Sequence, residues 1–239
     1  MAIRSVRFFA LVLLAVLLAS GCTGERERVM LPPEAPVHNI RSVAVVGFVN
    51  YTVDPGIVHL FEEGVTQTLH DSERYRVVDG ATAWAALAAI GASPEQLADP
   101  EVAKALGRRL GVDAIITGAA TYYFDDTSVS VPQCFGCRSQ SSRPHWEVTH
   151  ETLVQTAFQA RVIETKEGAI IWSNTVEGRD TTRRTIYINW SERTAPPSSL
   201  VPRPDRRDIP ETRRAAVRDA VRNFTVDLLP RYIWVRKDS

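Results

Sequence analysis

The segment "SVAVVGFV", residues 42–49, is a continuous apolar run rich in β-branched residues. Such a run is typical of a strand that is buried on both faces, because a strand with one solvated face alternates apolar with polar side chains. A strand of this kind needs covering elements on both sides of its sheet. It therefore favours a fold in which helices flank a β-sheet.

The residues that follow alternate between helical and strand patterns. Asp54 and Pro55 indicate a helix start, after which apolar residues recur at three- and four-residue steps as far as Ser72. The chain then predicts a strand at 75–79, a helix around 82–90, a helix at 100–110 closed by Gly111, and a strand at 113–124. Alternating strands and helices of this kind indicate an α/β fold with a mixed sheet.

The second half of the chain predicts a β-hairpin and a final helix. Apolar and polar residues alternate through residues 154–162, "ETKEG" at 164–168 turns the chain, and "AIIWSNTVEG" returns as the partner strand. Pro210 opens a helix with an apolar stripe that includes Val217 and Val221. The predicted order is βαβαβ, then a hairpin, then a C-terminal helix, in one domain with two loop insertions.

The N-terminus predicts a lipoprotein signal peptide over residues 1–21. Arg4 and Arg7 precede an apolar run of about 12 residues, well short of the ~20 that a membrane-spanning helix needs. The run ends in "LLASGC", which resembles a bacterial lipobox with Cys22 as the lipidated residue; the alternative is an ordinary secretory cleavage beside an incidental cysteine. In lipoproteins that this resembles, Thr23 rather than Asp at the next position implies the outer membrane, with the domain in the periplasm.

Residues 22–39 are expected to form the lipidated N-terminus and a tether, and residues 40–239 the folded domain. The tether is first charged and then proline-rich, with no period that would bury a face. Removing residues 1–21 takes away two arginines and no acids, which leaves 28 − 2 = 26 basic against 28 acidic side chains, a net charge of −2. This balance gives no support to a nucleic-acid partner.

A cysteine pair raises the question of chemistry. Cys134 and Cys137 are followed by His145 and His150, which resembles a shortened zinc-binding pattern. In an oxidising compartment the preferred interpretation is a local disulfide between the two cysteines. Zinc is disfavoured because the histidines would point to opposite faces of a strand. The same spacing is compatible with inert free thiols and with a catalytic redox pair.

Four segments, in this order and at these separations, carry a resemblance to a known superfamily: "VAVVGFVN", "RYRVVDG", "AKALGRRLGVDAIITGAATYY" and "ARVIETKEGAIIWSNTVEG". They are similar to the curli-secretion lipoproteins (CsgG) and the penicillin-binding-protein activators (LpoB). The resemblance covers about residues 42–178 and the final helix. It implies a compact α/β domain with no catalytic residues. We also expect no metal site and no cofactor.

Two insertions, residues 125–151 and 179–209, lie outside the shared motifs. In curli channels, insertions at similar places form membrane hairpins, but here "TSVSVP" and "TIYINW" alternate only briefly before prolines or arginines interrupt. We therefore expect a non-catalytic lipoprotein that binds protein partners in envelope assembly or secretion. The alternatives are an oligomeric curli-type secretion channel and a periplasmic thiol or metal enzyme centred on Cys134 and Cys137.

An arginine row on the final helix is a separate candidate. Arg214, Arg218 and Arg222 recur every four residues beside the apolar stripe. They suit an anionic partner, although a solvated helix face with nearby acids is the commoner arrangement.

Overall fold

The computed structural model describes residues 26–139, 141 and 143–236. Cys22 and the predicted signal peptide lie outside the described residues. The described chain divides into two compact units. The larger unit is residues 33–229, and the smaller contains the terminal segments up to Pro32 and from Pro230 onward.

The larger unit contains a six-stranded mixed sheet. Its strands are β2 (Ser42–Asn50), β3 (Arg76–Val78), β4 (Ala114–Val129), β5 (Gln133–Phe135), β6 (His145–Glu164) and β7 (Ala169–Ile188). The order is β3-β2-β4-β6-β5, with β7 paired to the other side of β6. Because β2 is parallel to β3 and β4 while β6 is antiparallel to its neighbours, the predicted mixed sheet is confirmed.

Four α-helices flank this sheet within the described residues. They are α1 (Ile57–Asp71), α2 (Gly80–Ala89), α3 (Pro100–Leu110) and α4 (Ile209–Thr225). Short 3₁₀ turns occupy Pro94–Ala98 and Ser198–Leu200. Gly111 ends α3 in the left-handed conformation, with φ of 62°, as the sequence predicted.

Strand β2 is buried on both faces, as the apolar run predicted. Val43 and Val45 belong to one core cluster together with the buried residues of α1 and α4. Ala44 and Val46 point the other way, into a second cluster with α2 and α3. Alternate residues of one strand thus serve two cores, which is why the segment tolerates no polar position in its interior.

The strands continue into both insertions, so these segments are only partly loops. Strand β4 runs on to Val129, β6 begins at His145, and β7 runs on to Ile188. Residues 150–164 of β6 pair with β4, and residues 146–164 pair with β7. The alternation in each segment is too brief to indicate a strand alone, but here each segment extends a strand that is already paired.

The smaller unit is an antiparallel pair of β1 (Arg26–Leu31) with β8 (Arg231–Arg236). Strand β1 lies within the segment expected to act as a tether. Its partner comes from the other end of the chain, so no local pattern reveals the pairing. Among the described residues, no helix is both long enough and apolar enough to cross a membrane.

At Gly178, strand β7 passes very close to helix α4. A Cβ at Gly178 would overlap the Ala216 carbonyl oxygen and lie 2.7 Å from the Ala220 nitrogen. Since this contact is backbone against backbone, Gly178→Ala should lower the free energy of unfolding by about 1–3 kcal/mol. The measurement is denaturant unfolding of the purified protein.

The matched control is Gly80→Ala at the first residue of α2, where a Cβ would have no atom within 4 Å. Its free energy of unfolding should be unchanged or raised by up to about 1 kcal/mol, because alanine restricts the unfolded chain. Equal unfolding midpoints for Gly178→Ala and the unmodified protein would show that β7 and α4 are not in close contact.

Candidate functional site

The part of the sheet formed by the insertions has one sealed face and one open face. Along the start of β6, Trp146, Val148 and His150 are buried, whereas His145 is exposed and Glu147 is only half-buried. Successive side chains of a strand point to opposite faces, so this pattern defines the two faces directly. The sealed face packs against other parts of the chain, and the open face is partly exposed to solvent.

The sealed face contains a third, smaller hydrophobic cluster. Trp146, Val148 and Ile188 form its buried centre, with Trp190 and Val201 of the following irregular segment packed against them. The indole nitrogen of Trp146 donates a hydrogen bond to the Glu192 carbonyl oxygen at 2.8 Å. Residues 189–208, the covering segment, therefore lie over this face of the sheet.

The two predicted cysteines lie at the edge of this cluster. Cys134 and Cys137 both pack against it, and the structure joins their sulfur atoms, with Cα atoms 5.8 Å apart. The disulfide joins Cys134 in β5 to Cys137, across a turn in which Gly136 has a φ of 78°. Whether the pair is oxidised in the cell stays a prediction.

The two histidines lie on opposite faces of β6, as predicted. His145 is exposed, and its ring stacks on Phe135 with centroids 5.4 Å apart. His150 is 4% exposed and lies on the sealed face. Within the described segments, no three or more His, Cys, Asp or Glu side chains are grouped so that they could hold a metal ion.

An ion-pair cluster centred on Asp205 fastens the covering segment to the strands. The carboxylate of Asp205 accepts hydrogen bonds from Arg184 at 3.0 Å and from Arg207 at 3.1 Å. Arg184 also lies 3.4 Å from Asp208, at the start of α4. The Nδ1 atom of His150 lies 3.9 Å from Asp205. This cluster has no signal in the sequence, because "PRPDRRD" indicates only an irregular segment.

The surroundings of Asp205 decide its protonation. Burial disfavours the charged carboxylate of Asp205. Hydrogen bonds from the Arg207 backbone and the Arg184 side chain, together with the positive charges of both arginines, outweigh this effect of burial and lower the pKa of Asp205. Asp205 is therefore held ionised as a structural anion. It fixes the position of the covering segment.

A second ion pair joins α4 to the loop before α1. Arg213 donates to the carboxylate of Asp54 at 2.7 Å. Nearby, burial and the negative charge of Asp125 raise the pKa of Tyr123, and Asp125 is itself paired with Arg206 at 2.5 Å. These contacts link the loop before α1 to α4, and β4 to the covering segment.

The open face carries aromatic side chains that the structure leaves exposed. We call it the aromatic face; its members are Tyr122, Phe124, Phe135 and Tyr187. Tyr187 is 71% exposed, and its ring centroid lies 6.2 Å from that of His145. Between the aromatic ends, Arg183 pairs with Glu151 at 2.7 Å. Exposed aromatics among charged residues are typical of protein interfaces.

By sequence, the chain matches no established family and no curated protein. By structure it is similar to lipoprotein GNA1162 from Neisseria meningitidis, with 16% identity, 59% of this chain and 84% of that chain covered, and a TM-score of 0.42. It is also similar to PelC from Paraburkholderia phytofirmans, a dodecamer, with 15% identity, coverage of 84% and 98%, and a TM-score of 0.39. A third similar structure is the C-terminal domain of LpoB from Salmonella enterica, with 14% identity, coverage of 62% and 84%, and a TM-score of 0.35. With TM-scores below 0.5, these similarities assign neither a family nor a function to this chain.

Asp205 generates a prediction about acid stability. Its pKa in the folded protein lies below the unfolded value of about 3.9. A depressed carboxyl pKa contributes stability that is present above the unfolded pKa and is lost as the pH falls through the folded pKa. Asp205→Asn should therefore lower the thermal midpoint at pH 7, and flatten the decline of that midpoint on acidification below about pH 5. The measurement is the thermal midpoint from pH 7 down to pH 3.

The control for this prediction is Asp126→Asn, an exposed carboxyl on the open face. It should leave both the midpoint at pH 7 and the acid profile unchanged. If Asp205→Asn gives the same profile as this control, Asp205 does not hold the covering segment in place.

Proposed function

We propose that this chain is a non-catalytic lipoprotein, anchored in the outer membrane through Cys22, whose periplasmic domain binds protein partners in envelope assembly or secretion. The observation that carries the proposal is the aromatic face, an exposed set of Tyr and Phe side chains on a sheet whose other face is sealed. Partners would bind against this open face.

Aromatic side chains suit this role for a physical reason. They bury a large apolar area while losing few rotatable bonds, so they contribute strongly to affinity at protein interfaces. The Arg183 and Glu151 pair, and the His145 and Glu147 pair at 3.3 Å, add polar groups between and beside them. A partner with complementary polar groups would be oriented by these pairs.

The strands that carry the aromatic face are held by contacts on their other side, which suits a preorganised binding surface. The third hydrophobic cluster, the joined cysteines and the Asp205 ion pairs all lie on the sealed side of the strands. They fix the sheet without occupying the aromatic face.

The polar residues that the structure brings together support a structural role over a catalytic one. The carboxylate of Asp205 is engaged by Arg184 and Arg207, and His150 is buried beneath the covering segment. A general base needs reach to a substrate as well as a suitable pKa. These groups instead hold one segment of the chain against another.

The curli-type channel is the second candidate, because strands continue into both insertions. The open face of these strands carries the charged residues Glu147, Glu151 and Arg183. In a channel of this type one face of each membrane strand faces lipid and the other faces a polar lumen. The opposite face of these strands also carries polar groups, His150 and Arg184, so neither face is the continuous apolar surface that lipid requires, which favours the adaptor.

The adaptor proposal predicts contact between the aromatic face and a partner in living cells. A photocrosslinking amino acid in place of Tyr187 should give a discrete protein adduct in the outer-membrane fraction. The same amino acid in place of Lys166, an exposed residue in the turn between β6 and β7, serves as the control and should give none. If both positions give the same adducts, or neither gives any, the aromatic face is not the binding site.

The anchor proposal predicts the state of all three cysteines. Acylation of Cys22 and a disulfide between Cys134 and Cys137 together leave no free thiol, so titration of the unfolded mature protein without reductant should detect none.

Cys22→Ser should release the domain into the soluble periplasmic fraction or leave an unprocessed precursor. A mutant that still matures and fractionates with the outer membrane would rule out the lipid anchor.

A further inference from the structure

A groove runs between α1 and α4, on the face of the sheet that these two helices cover. Its floor is apolar, formed by Leu60, Gly64, Val217 and Val221, and its volume is about 640 Å³. Gly64 is where the helices meet, since a Cβ there would lie 2.9 Å from Val221 Cγ2. The helices touch along the floor, and the space above them stays open.

The rims of the groove differ in charge. Arg214, Arg218 and Arg222 line the α4 rim, and Glu63 and Gln67 line the α1 rim. Glu63 and the Asp219 that pairs with Arg222 offset two of the three arginines, which leaves one net positive charge. The groove therefore offers an apolar floor beneath an excess of arginine.

The arginine row is only partly neutralised within the protein. Arg222 pairs with Asp219 on the preceding turn. In the part of the chain that the structure describes, neither Arg214 nor Arg218 has an acidic side chain within ion-pair distance. Their neighbour Arg213 points elsewhere and pairs with Asp54. Two exposed guanidinium groups thus remain available along the rim.

We propose that this groove binds an acidic amphipathic helix of a protein partner. A helix lying in a groove places apolar side chains at i, i+3 or i+4, and i+7 on the floor. Arg214 and Arg218 then pair with carboxylates on the flank of that helix, bidentately where the geometry allows. The row from Arg214 to Arg222 spans roughly 12 Å at ~1.5 Å per residue, so it matches a partner helix of two to three turns.

The floor of the groove favours a helix over a membrane surface. Val217 and Val221, at 2% and 4% exposed, form the base of the groove, and the half-buried Leu60 and Gly64 are the floor residues that a partner can reach. Side chains inserted from a helix reach this depth. A flat layer of anionic headgroups would contact the arginines and leave the apolar floor empty.

This inference rests on the proposed protein-binding function and adds a second surface to it. The test uses the full chain in intact cells, with a photocrosslinking amino acid in place of Gln67 on the rim. The adduct should map by mass spectrometry to an acidic segment of helical apolar spacing in another protein. Arg214→Glu combined with Arg218→Glu should reduce this adduct at least tenfold, because the charge complementarity is reversed.

The matched control is Arg108→Glu with Arg109→Glu, two adjacent arginines at the end of α3. It should leave the adduct unchanged. A second pair of variants, Arg214→Lys and Arg218→Lys, keeps the charge and should retain most of the adduct, which separates loss of charge from loss of folding.

The inference is overturned if Gln67 gives no adduct, or if the adduct is a lipid, a second copy of this chain or a basic segment. It is equally overturned if the glutamate variants keep the adduct. Failure at Gln67 with an adduct retained at Tyr187 would reject the groove and leave the adaptor proposal standing. Failure at Tyr187 with a groove adduct would reject only the aromatic face.

Discussion

Strand β6 is the constraint on which the rest of the structure depends. It is twenty residues long and pairs with β7 throughout, while β4 and β5 share its other edge. Its even-numbered side chains from Trp146 to Val162 are all buried, so one face has to be covered along roughly 55 Å at ~3.4 Å per residue. Phe158 meets this need in the main core, where it stacks on Phe61, and Trp146 meets it in the third cluster.

The covering segment follows from this requirement. Helix α4 packs on β6 and β7, but it begins only at Ile209 and does not cover the start of β6. Residues 189–208 therefore have to cover the remaining sealed face, although their prolines exclude a helix. Ion pairs centred on Asp205 and the small cluster around Trp146 replace the helical packing there. The polar contacts around Asp205, which resemble a functional site, therefore hold the covering segment against the sheet.

The arrangement separates two surfaces of different chemistry. Helices α1 and α4 lie on the sealed side of β6, so the arginine-lined groove and the aromatic face are on opposite sides of the sheet. One surface is a groove with an excess of arginine, and the other carries exposed aromatic side chains with a charged pair between them. On the two proposals above, the chain binds two partners on opposite sides of its sheet.

Local patterns predicted much of this fold because the main elements are determined by their own apolar spacing. Strand β2, helix α4 and the β6–β7 turn at Gly168 are examples. The missed features depend on partners far away in the chain. Strand β1 pairs with residues about 200 positions later, and Asp205 meets Arg184 and His150 only after the covering segment folds back. The cysteine pair was visible in the sequence, whereas the cluster that surrounds it was not.

The central claim is that the domain acts as an adaptor that its lipid alone holds to the membrane. The direct measurement is the mass of the full-length protein extracted in mild detergent, together with its conductance in planar bilayers. We expect a monomer or small oligomer that conducts no ions. A stable ring of many subunits that conducts ions would contradict this claim and establish the channel instead.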